Sequence, residues 1–385
     1  LMSQLGAGES PRKGRKMALH TQRCTHKRSM MQAGQAAILF VSINFLFASA
    51  QANPPSRVVA FGASYTDVGN DYEAFGAPQS PPYANGRFCN GLLWHEVAGN
   101  ALGWPDASPS LLGGDIYAYG GAQTGNGLTA PLNCPQIMIP TFGAQIDAFL
   151  QVNEIEATDL FIISFPGNDL LNHVFEYGNN GNPPADALDN ILTHIETLAT
   201  EGAESVVVVN CPPLGMAELV ADAGLTDEVH QYAQEYNALL GPAMEKAAGN
   251  LGVEIHILDL HNVFTQVLDD PSSFGFTNIT GRALMGGTVN CNVVYDGQPA
   301  PDTSEFLWWD TNHPTAAMQA LMGEALVDLL ECPTDFDRSG AVDVADLLQL
   351  LSAWGPCTDC DEDFDNSGVV DVADLLQLLS AWGAC

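Results

Sequence analysis

The stretch RVVAFGASYTDVGN, residues 57–70, decides the reading of the fold. After Arg57 it is continuously apolar and β-rich, and it runs directly into Gly62-Ala63-Ser64. Continuous rather than alternating hydrophobicity suits a strand of a parallel sheet covered on both faces. LFIISF (160–165), SVVVVN (205–210) and VEIHILDL (253–260) read the same way. Between them, ADALDNILTHIETLATEG (185–202) and TDEVHQYAQEYNALLGPAMEKAAGN (226–250) carry apolar residues at helical spacing. TAAMQALMGEALVDLLE (315–331) follows Pro314, a residue suited to a first helical turn. Strand–helix alternation predicts a three-layer α/β domain over residues 53–331. The Gly/Pro/Asn-rich stretches 76–96 and 175–184 read as loops that shape a cleft.

In an open α/β sheet, functional groups gather at the carboxyl ends of the strands, which puts Ser64 where a nucleophile is placed. A serine there is also an ordinary helix cap, and Gly62-Ala63-Ser64-Tyr65-Thr66 lacks the second glycine of a nucleophile elbow. Trp309-Asp310-Thr311-Asn312-His313-Pro314 changes the weighing. A carboxylate three residues before an imidazole can fix its tautomer, leaving the other ring nitrogen free for a serine proton. Taken singly, Asp310 is a turn residue and His313 a surface histidine. An oxyanion also needs donors. Asn168, after the strand LFIISF, offers an amide, and YAYGGA (117–122) offers backbone N–H groups, although either is also common turn chemistry.

Taken in order, GASYTDVGN, YAYGGA, GNDL and DTNHP resemble the sequence blocks of the GDSL, or SGNH, hydrolase family of esterases and lipases. The resemblance spans roughly residues 57–331 and extends to GRFCNGLLWHEVAG (86–99), NCPPLG (210–215) and Tyr236-Asn237-Ala238-Leu239. It is nearest to the branch of secreted lipases, thermolabile haemolysins and acyltransferases. It implies a flavodoxin-like α/β/α sandwich whose chemistry needs no metal. It also implies Ser64 as nucleophile, the Ser64 N–H, Gly121 and Asn168 as oxyanion donors, His313 as base then acid, and Asp310 as its orienter. Two positions depart from the family pattern. Ala63 stands where the family has the Asp of Gly-Asp-Ser, which implies a looser nucleophile loop, and Ile116 stands where an Asn often opens the second block.

The C-terminus is a tandem repeat: DFDRSGAVDVADLLQLLSAWG (335–355) recurs as DFDNSGVVDVADLLQLLSAWG (363–383), matching at 19 of 21 positions. Counted from Asp335, oxygen-bearing residues fall at loop positions 1, 3, 5, 9 and 12, namely Asp335, Asp337, Ser339, Asp343 and Asp346. Gly340 is sixth, and Ala341 supplies a seventh-position carbonyl. The second copy offers Asp363, Asp365, Ser367, Val369, Asp371 and Asp374. This is the ligand spacing of an EF-hand calcium loop, with Asp in place of the twelfth-position Glu. Duplicated loop–helix units of this kind resemble type I dockerins. The resemblance implies a small all-α, calcium-binding domain over 332–385 and a cohesin-like scaffold or cell surface as partner; a calcium-stabilised terminus is the other reading. Cysteines bracket each copy, so Cys332–Cys357 and Cys360–Cys385 are the expected bridges, with Cys357–Cys360 as the redox-like alternative.

The net charge of −34 lacks the basic footprint that nucleic-acid binding requires. Seven of the 12 basic residues lie in the first 28 positions, ahead of the apolar run 36–47 and Ala50-Gln51-Ala52. That pattern predicts a secretory leader over residues 1–52, with a start at Met30 or Met31 and a retained anchor as the alternative. Eight cysteines remain after it, an even number suited to an oxidising, extracellular compartment. Pairing among Cys89, Cys134, Cys211 and Cys291 stays open, and His95, His173, His194, His230, His256 and His261 lack metal-ligand spacing. The combined expectation is a secreted serine esterase or lipase acting on a lipid or acylated carbohydrate. The alternatives are a carbohydrate acetyl esterase and a non-catalytic, calcium-dependent binding protein.

Overall fold

Arg57–Gly62 (β1), Asp159–Ser164 (β2), Ser205–Val209 (β3) and Glu254–Leu258 (β4) pair side by side in that order, all parallel. They are seen in a computed structural model that describes residues 55–165, 167–175, 183–291 and 293–331. In the C-terminal part it describes residues 334, 336, 341–357, 360, 362–364 and 367–384. The expected leader and its cleavage site lie outside the described residues.

A fifth segment completes the sheet. Residues 115–119 run along the free edge of β1, where the Ala60 N–H donates to Asp115 O at 3.1 Å. The N–H groups of Tyr117 and Tyr119 return bonds to Ala60 O and Gly62 O at 2.8 and 3.2 Å. Taken with this edge, the segments lie in the order 2-1-3-4-5 by position along the chain, the flavodoxin-like arrangement. The order reverses between β1 and β2, and a crevice outside the carboxyl ends of the strands is expected at such a switch point.

The helices of this part that cover the sheet are Trp94–Leu102 (α1), Phe142–Leu150 (α2), Gly167–Phe175 (α3), Pro183–Thr200 (α4), Thr226–Leu251 (α5), Leu260–Asp269 (α6) and Ala316–Glu331 (α7). Side chains alternate across each strand, so one sheet feeds two cores. Val59, Phe61, Phe161, Ile163, Val206 and Val208 pack under α2 to α5. Ala60, Leu160, Ile162, Val207 and Val209 pack under α1, α6 and α7. Each fully buried large apolar side chain is worth about 1.5–3 kcal/mol, so the scaffold is fixed redundantly and the loops are left for chemistry. Cys134 and Cys291 form a disulfide with their Cα atoms 4.9 Å apart, and Cys89 and Cys211 are buried free thiols.

The C-terminal repeats each give a helix, Val344–Ser352 (α8) and Val372–Ser380 (α9). They do not close on themselves. Ala341–Val342 of the first copy pairs antiparallel with Gly383–Ala384 of the second, and Gly355–Pro356 pairs with Val369–Val370. Two short ladders thus accompany the two helices. Val342, Leu350, Val370 and Leu378 form a shared core, with Phe336 stacked on Phe364 at 5.5 Å.

Cys357 and Cys360 lie side by side, the arrangement of the alternative pairing. The Cys357 N–H donates to Gly368 O at 3.0 Å, which brings Cys357 to the second loop. Cys332 and Cys385 lie outside the described residues.

Candidate active site

Ser64 follows the last residue of β1, in a tight turn where the Thr66 and Asp67 N–H groups donate to Ala63 O at 2.9 and 3.0 Å. The turn begins at a close approach of two strands: a Cβ on Gly62 would sit 2.8 Å from Ser164 O of β2. The Gln145 amide of α2 holds Gly62 from both sides, accepting its N–H at 2.9 Å and donating to its carbonyl at 3.0 Å.

Asp67 is the main brace. It is fully buried and accepts the N–H groups of Gly69 at 2.8 Å, Asn70 at 2.6 Å and Asp71 at 3.2 Å. Across the loop it accepts the N–H of Gly120 at 3.2 Å. The Asn70 amide donates to Ile116 O and Ala118 O at 2.7 and 2.9 Å, which secures the edge segment where a family Asn is missing. The looser loop implied by Ala63 is therefore offset by Asp67, Asn70 and Gln145. Burial pushes the Asp67 carboxyl up to about 6 against the pull of its four N–H donors. Burial, with the charge of Asp67 added, raises Asp71 further.

Gly121 follows the edge segment with φ +84°, a left-handed conformation that favours glycine, and a Cβ there would meet Pro131 Cβ at 2.5 Å. Asn168 lies in the first turn of α3, after β2, and one N–H of its amide donates to Ala122 O at 3.0 Å. Ser64, Gly121 and Asn168 thus come from the carboxyl ends of three neighbouring chain segments at the switch point. Ser64 and Asn168 line one cleft together with Asn312.

Asp310 and His313 stand on the turn between the strand Phe306–Trp308 and α7. His313 Nδ1 lies 2.8 Å from both Asp310 oxygens, which leaves Nε2 as the free ring nitrogen. Asp310 is fully buried and also accepts the backbone N–H groups of Asn312 at 3.1 Å and His313 at 2.9 Å. Phe88 and Tyr65 flank the imidazole at centroid distances of 5.0 and 6.0 Å. The Tyr65 hydroxyl, one residue past Ser64, donates to Asn312 O at 2.7 Å and ties the serine turn to the histidine turn.

Sequence reasoning missed Tyr83. Its hydroxyl donates to Asp310 Oδ2 at 2.6 Å and accepts the Val294 N–H at 3.0 Å. Burial beside the Asp310 carboxylate raises this phenol far above its ordinary value, so it remains a donor. Nothing in the sequence signals this contact across 227 positions, since Tyr83 lies in a proline-rich loop far from the acid. Asp67, in contrast, stands within the GASYTDVGN block itself.

In the tail, Asp343 and Asp371 cap α8 and α9 by accepting the N–H groups of Ala345 and Ala373 at 2.7 and 2.8 Å. Asp346 is buried and accepts the N–H groups of Phe336 and Asp343 at 2.7 and 2.8 Å. Asp374 does the same with Phe364 and Asp371, both at 2.8 Å. Asp363 accepts from the N–H groups of Ser367 and Gly368 at 3.0 and 2.7 Å, and the Ser367 hydroxyl donates to Val369 O at 3.1 Å. Ala341 lies in the first short ladder. Asp335, Asp337, Ser339 and Asp365 lie outside the described residues, and among the described residues no three acidic, His or Cys groups converge on one point.

A parallel α/β/α sandwich with a serine and an Asn amide at the carboxyl ends of neighbouring strands is the architecture of a class of ester hydrolases. The profile of the GDSL-like lipase/acylhydrolase family matches residues 58–326, and the chain belongs to that family. It is a carboxylic ester hydrolase. It is similar to a GDSL esterase/lipase of Arabidopsis thaliana, 24% identical over 77% of this chain and 94% of the relative. A phosphatidylcholine-sterol acyltransferase of Aeromonas hydrophila is 23% identical over 73% of this chain and 92% of its own length. A thermolabile hemolysin of Vibrio parahaemolyticus is 24% identical over 73% of this chain and 65% of its own.

Proposed function

We propose that the chain is a secreted serine esterase working through Ser64, His313 and Asp310, with a calcium-binding tail. The observation that carries the catalytic part is the convergence at the switch point: Ser64 and Asn168 share a cleft with Asn312, whose neighbour His313 is locked to Asp310. His313 Nε2 takes the Ser64 proton as Oγ attacks the ester carbonyl. The Ser64 and Gly121 N–H groups and the Asn168 amide receive the developing oxyanion. Asp310 stabilises the imidazolium, which then protonates the leaving alcohol, and water repeats the sequence on the acyl-enzyme. Ser64→Ala is expected to abolish hydrolysis of p-nitrophenyl acetate while leaving the circular dichroism spectrum intact. Unchanged turnover would sink the assignment and favour a non-catalytic binding role for this domain.

Calcium suits the tail because the donor set is all oxygen, and because the second loop already curls onto Asp363 with Gly368 at φ +83°. Asp335, Asp337, Ser339, Ala341, Asp343 and Asp346 would hold one ion, and Asp363, Asp365, Ser367, Val369, Asp371 and Asp374 the other. Bound calcium there compensates charge and takes no part in ester cleavage. Chelation is expected to remove hydrogen-exchange protection from α8 and α9 with ester turnover retained, and protection that survives chelation would refute the calcium reading. Matching side chains of the two copies stand exposed, Leu348 with Leu376 and Trp354 with Trp382, which supports attachment to a cohesin-like scaffold or cell surface. The leader pattern and the Cys134–Cys291 bridge support an extracellular location.

A further inference from the structure

The cleft that holds Ser64 and Asn168 has a second wall the reaction does not use. Phe165, Leu171, Val209, Leu214 and Leu260 close it, all buried and all apolar. Asn312, beside the base, stands at its rim. The leaving alcohol has to lie on the side of His313, because that imidazole protonates it. The acyl substituent is thereby turned toward the apolar wall. Asn210 also lines the cleft, but its amide donates to Asp259 and its carbonyl accepts the His261 N–H at 2.9 Å, so it makes no polar demand on a chain placed there.

We infer that this wall is the acyl pocket and that it admits only short chains, of about two to four carbons, with Leu214 setting the limit. The inference rests on the reading of Ser64 as nucleophile. The cleft offers about 50 Å³ of sheltered space, and with about 10–15 Å³ needed per water-sized group it shelters about three to five such groups and otherwise opens to solvent. Its wall has little room to yield. Phe165 packs at a tilt against Phe142, with ring centroids 4.8 Å apart. Leu214 Cδ1 abuts Gly167, where an added Cβ would come within 2.8 Å of it. The strand end leading to Leu214 is fixed by Asn237, whose amide accepts the Cys211 N–H at 2.8 Å and donates to Cys211 O at 2.9 Å. Pro212 and Pro213 then stiffen the approach by fixing φ.

The test is kcat/KM of the full chain and of Leu214→Ala for p-nitrophenyl acetate, butyrate and octanoate, with Ser64→Ala as control. In the native chain, kcat/KM is expected to fall at least about tenfold from butyrate to octanoate, and Leu214→Ala is expected to raise the octanoate-to-acetate ratio by about the same factor. A native chain that turns over octanoate as fast as butyrate, through Ser64, overturns the short-acyl inference and leaves the serine reading standing. Turnover that survives Ser64→Ala overturns both. A ratio unmoved in folded Leu214→Ala refutes the role of Leu214, and should that variant fail to fold, Leu171→Val reads the same wall.

Discussion

Tyr83→Phe separates a positioning role from a merely structural one. The substitution keeps the ring, which packs edge-on against Trp309 at 5.9 Å, and removes only the hydroxyl. Two bonds go with it: the 2.6 Å bond to Asp310 and the 3.0 Å bond from Val294 N–H. A hydrogen bond to a charged group is worth about 1.5–3 kcal/mol, and a buried N–H left unsatisfied costs about 1–3 kcal/mol. The variant should therefore lose about 2.5–6 kcal/mol of stability. Asp310 keeps three N–H donors, from Asn312, His313 and the His313 ring, so its carboxylate is loosened rather than released. If about half of the lost bond is felt in the transition state, about 0.75–1.5 kcal/mol, kcat falls about four- to tenfold. KM should stay within about twofold, since Tyr83 does not line the cleft. Steady-state kinetics with p-nitrophenyl acetate and urea denaturation monitored by tryptophan fluorescence measure both effects. A variant with native kcat, however unstable, would show that the phenol merely fills space beside the acid.

Two further outcomes follow from desolvated carboxylates. Asp67→Asn puts an NH2 group where an oxygen accepts the N–H groups of Asp71 and Gly120, so the oxyanion turn should loosen and kcat should drop about tenfold with little change in KM; an unchanged kcat would deny Asp67 its bracing role. Asp169 is half-buried, accepts from the Thr124 hydroxyl at 2.6 Å, and is pushed by desolvation up to about 6. A raised acid pKa means that the folded chain binds a proton before the unfolded one does, so the contribution to stability is present below about pH 4 and lost as pH rises through about 6. A rise of that size in a carboxyl pKa corresponds to about 3 kcal/mol. Relative to Asp169→Asn, which does not titrate, the native chain should gain about that much between about pH 7.5 and pH 4 in urea unfolding, and parallel profiles would contradict it.

Three strands of the central sheet were legible because they are buried on both faces, and a continuous apolar run of five or six residues has few other uses; β4, at the edge, is only partly buried. The edge segment was not, since Asp115 and the two tyrosines around Ala118 break the run, and it is held by backbone bonds to β1 and by the Asn70 amide from a distant position. Asp310 and His313 were readable because they are neighbours in sequence. Their brace Tyr83 and the Cys134–Cys291 pair join positions far apart in the chain, where no local spacing can point. In the tail, cysteines bracketing each copy suggested a bridge within each. Leu348 and Leu351 are exposed, and Leu350 is fully buried. The bury-or-expose choice was set by strand exchange between copies, which identical sequences permit equally well within a repeat or between repeats.

That exchange has a consequence for ancestry and for truncation. A single copy carries a ladder half at each end of its helix and no partner for either within itself. Cut down to one copy, the tail would present two unpaired backbone edges and one side of a core, which is the description of half a dimer. Before the duplication, a lone copy of this unit would have found its missing edges only in another molecule. Fusing two copies on one chain turned an association that depends on concentration into one that does not.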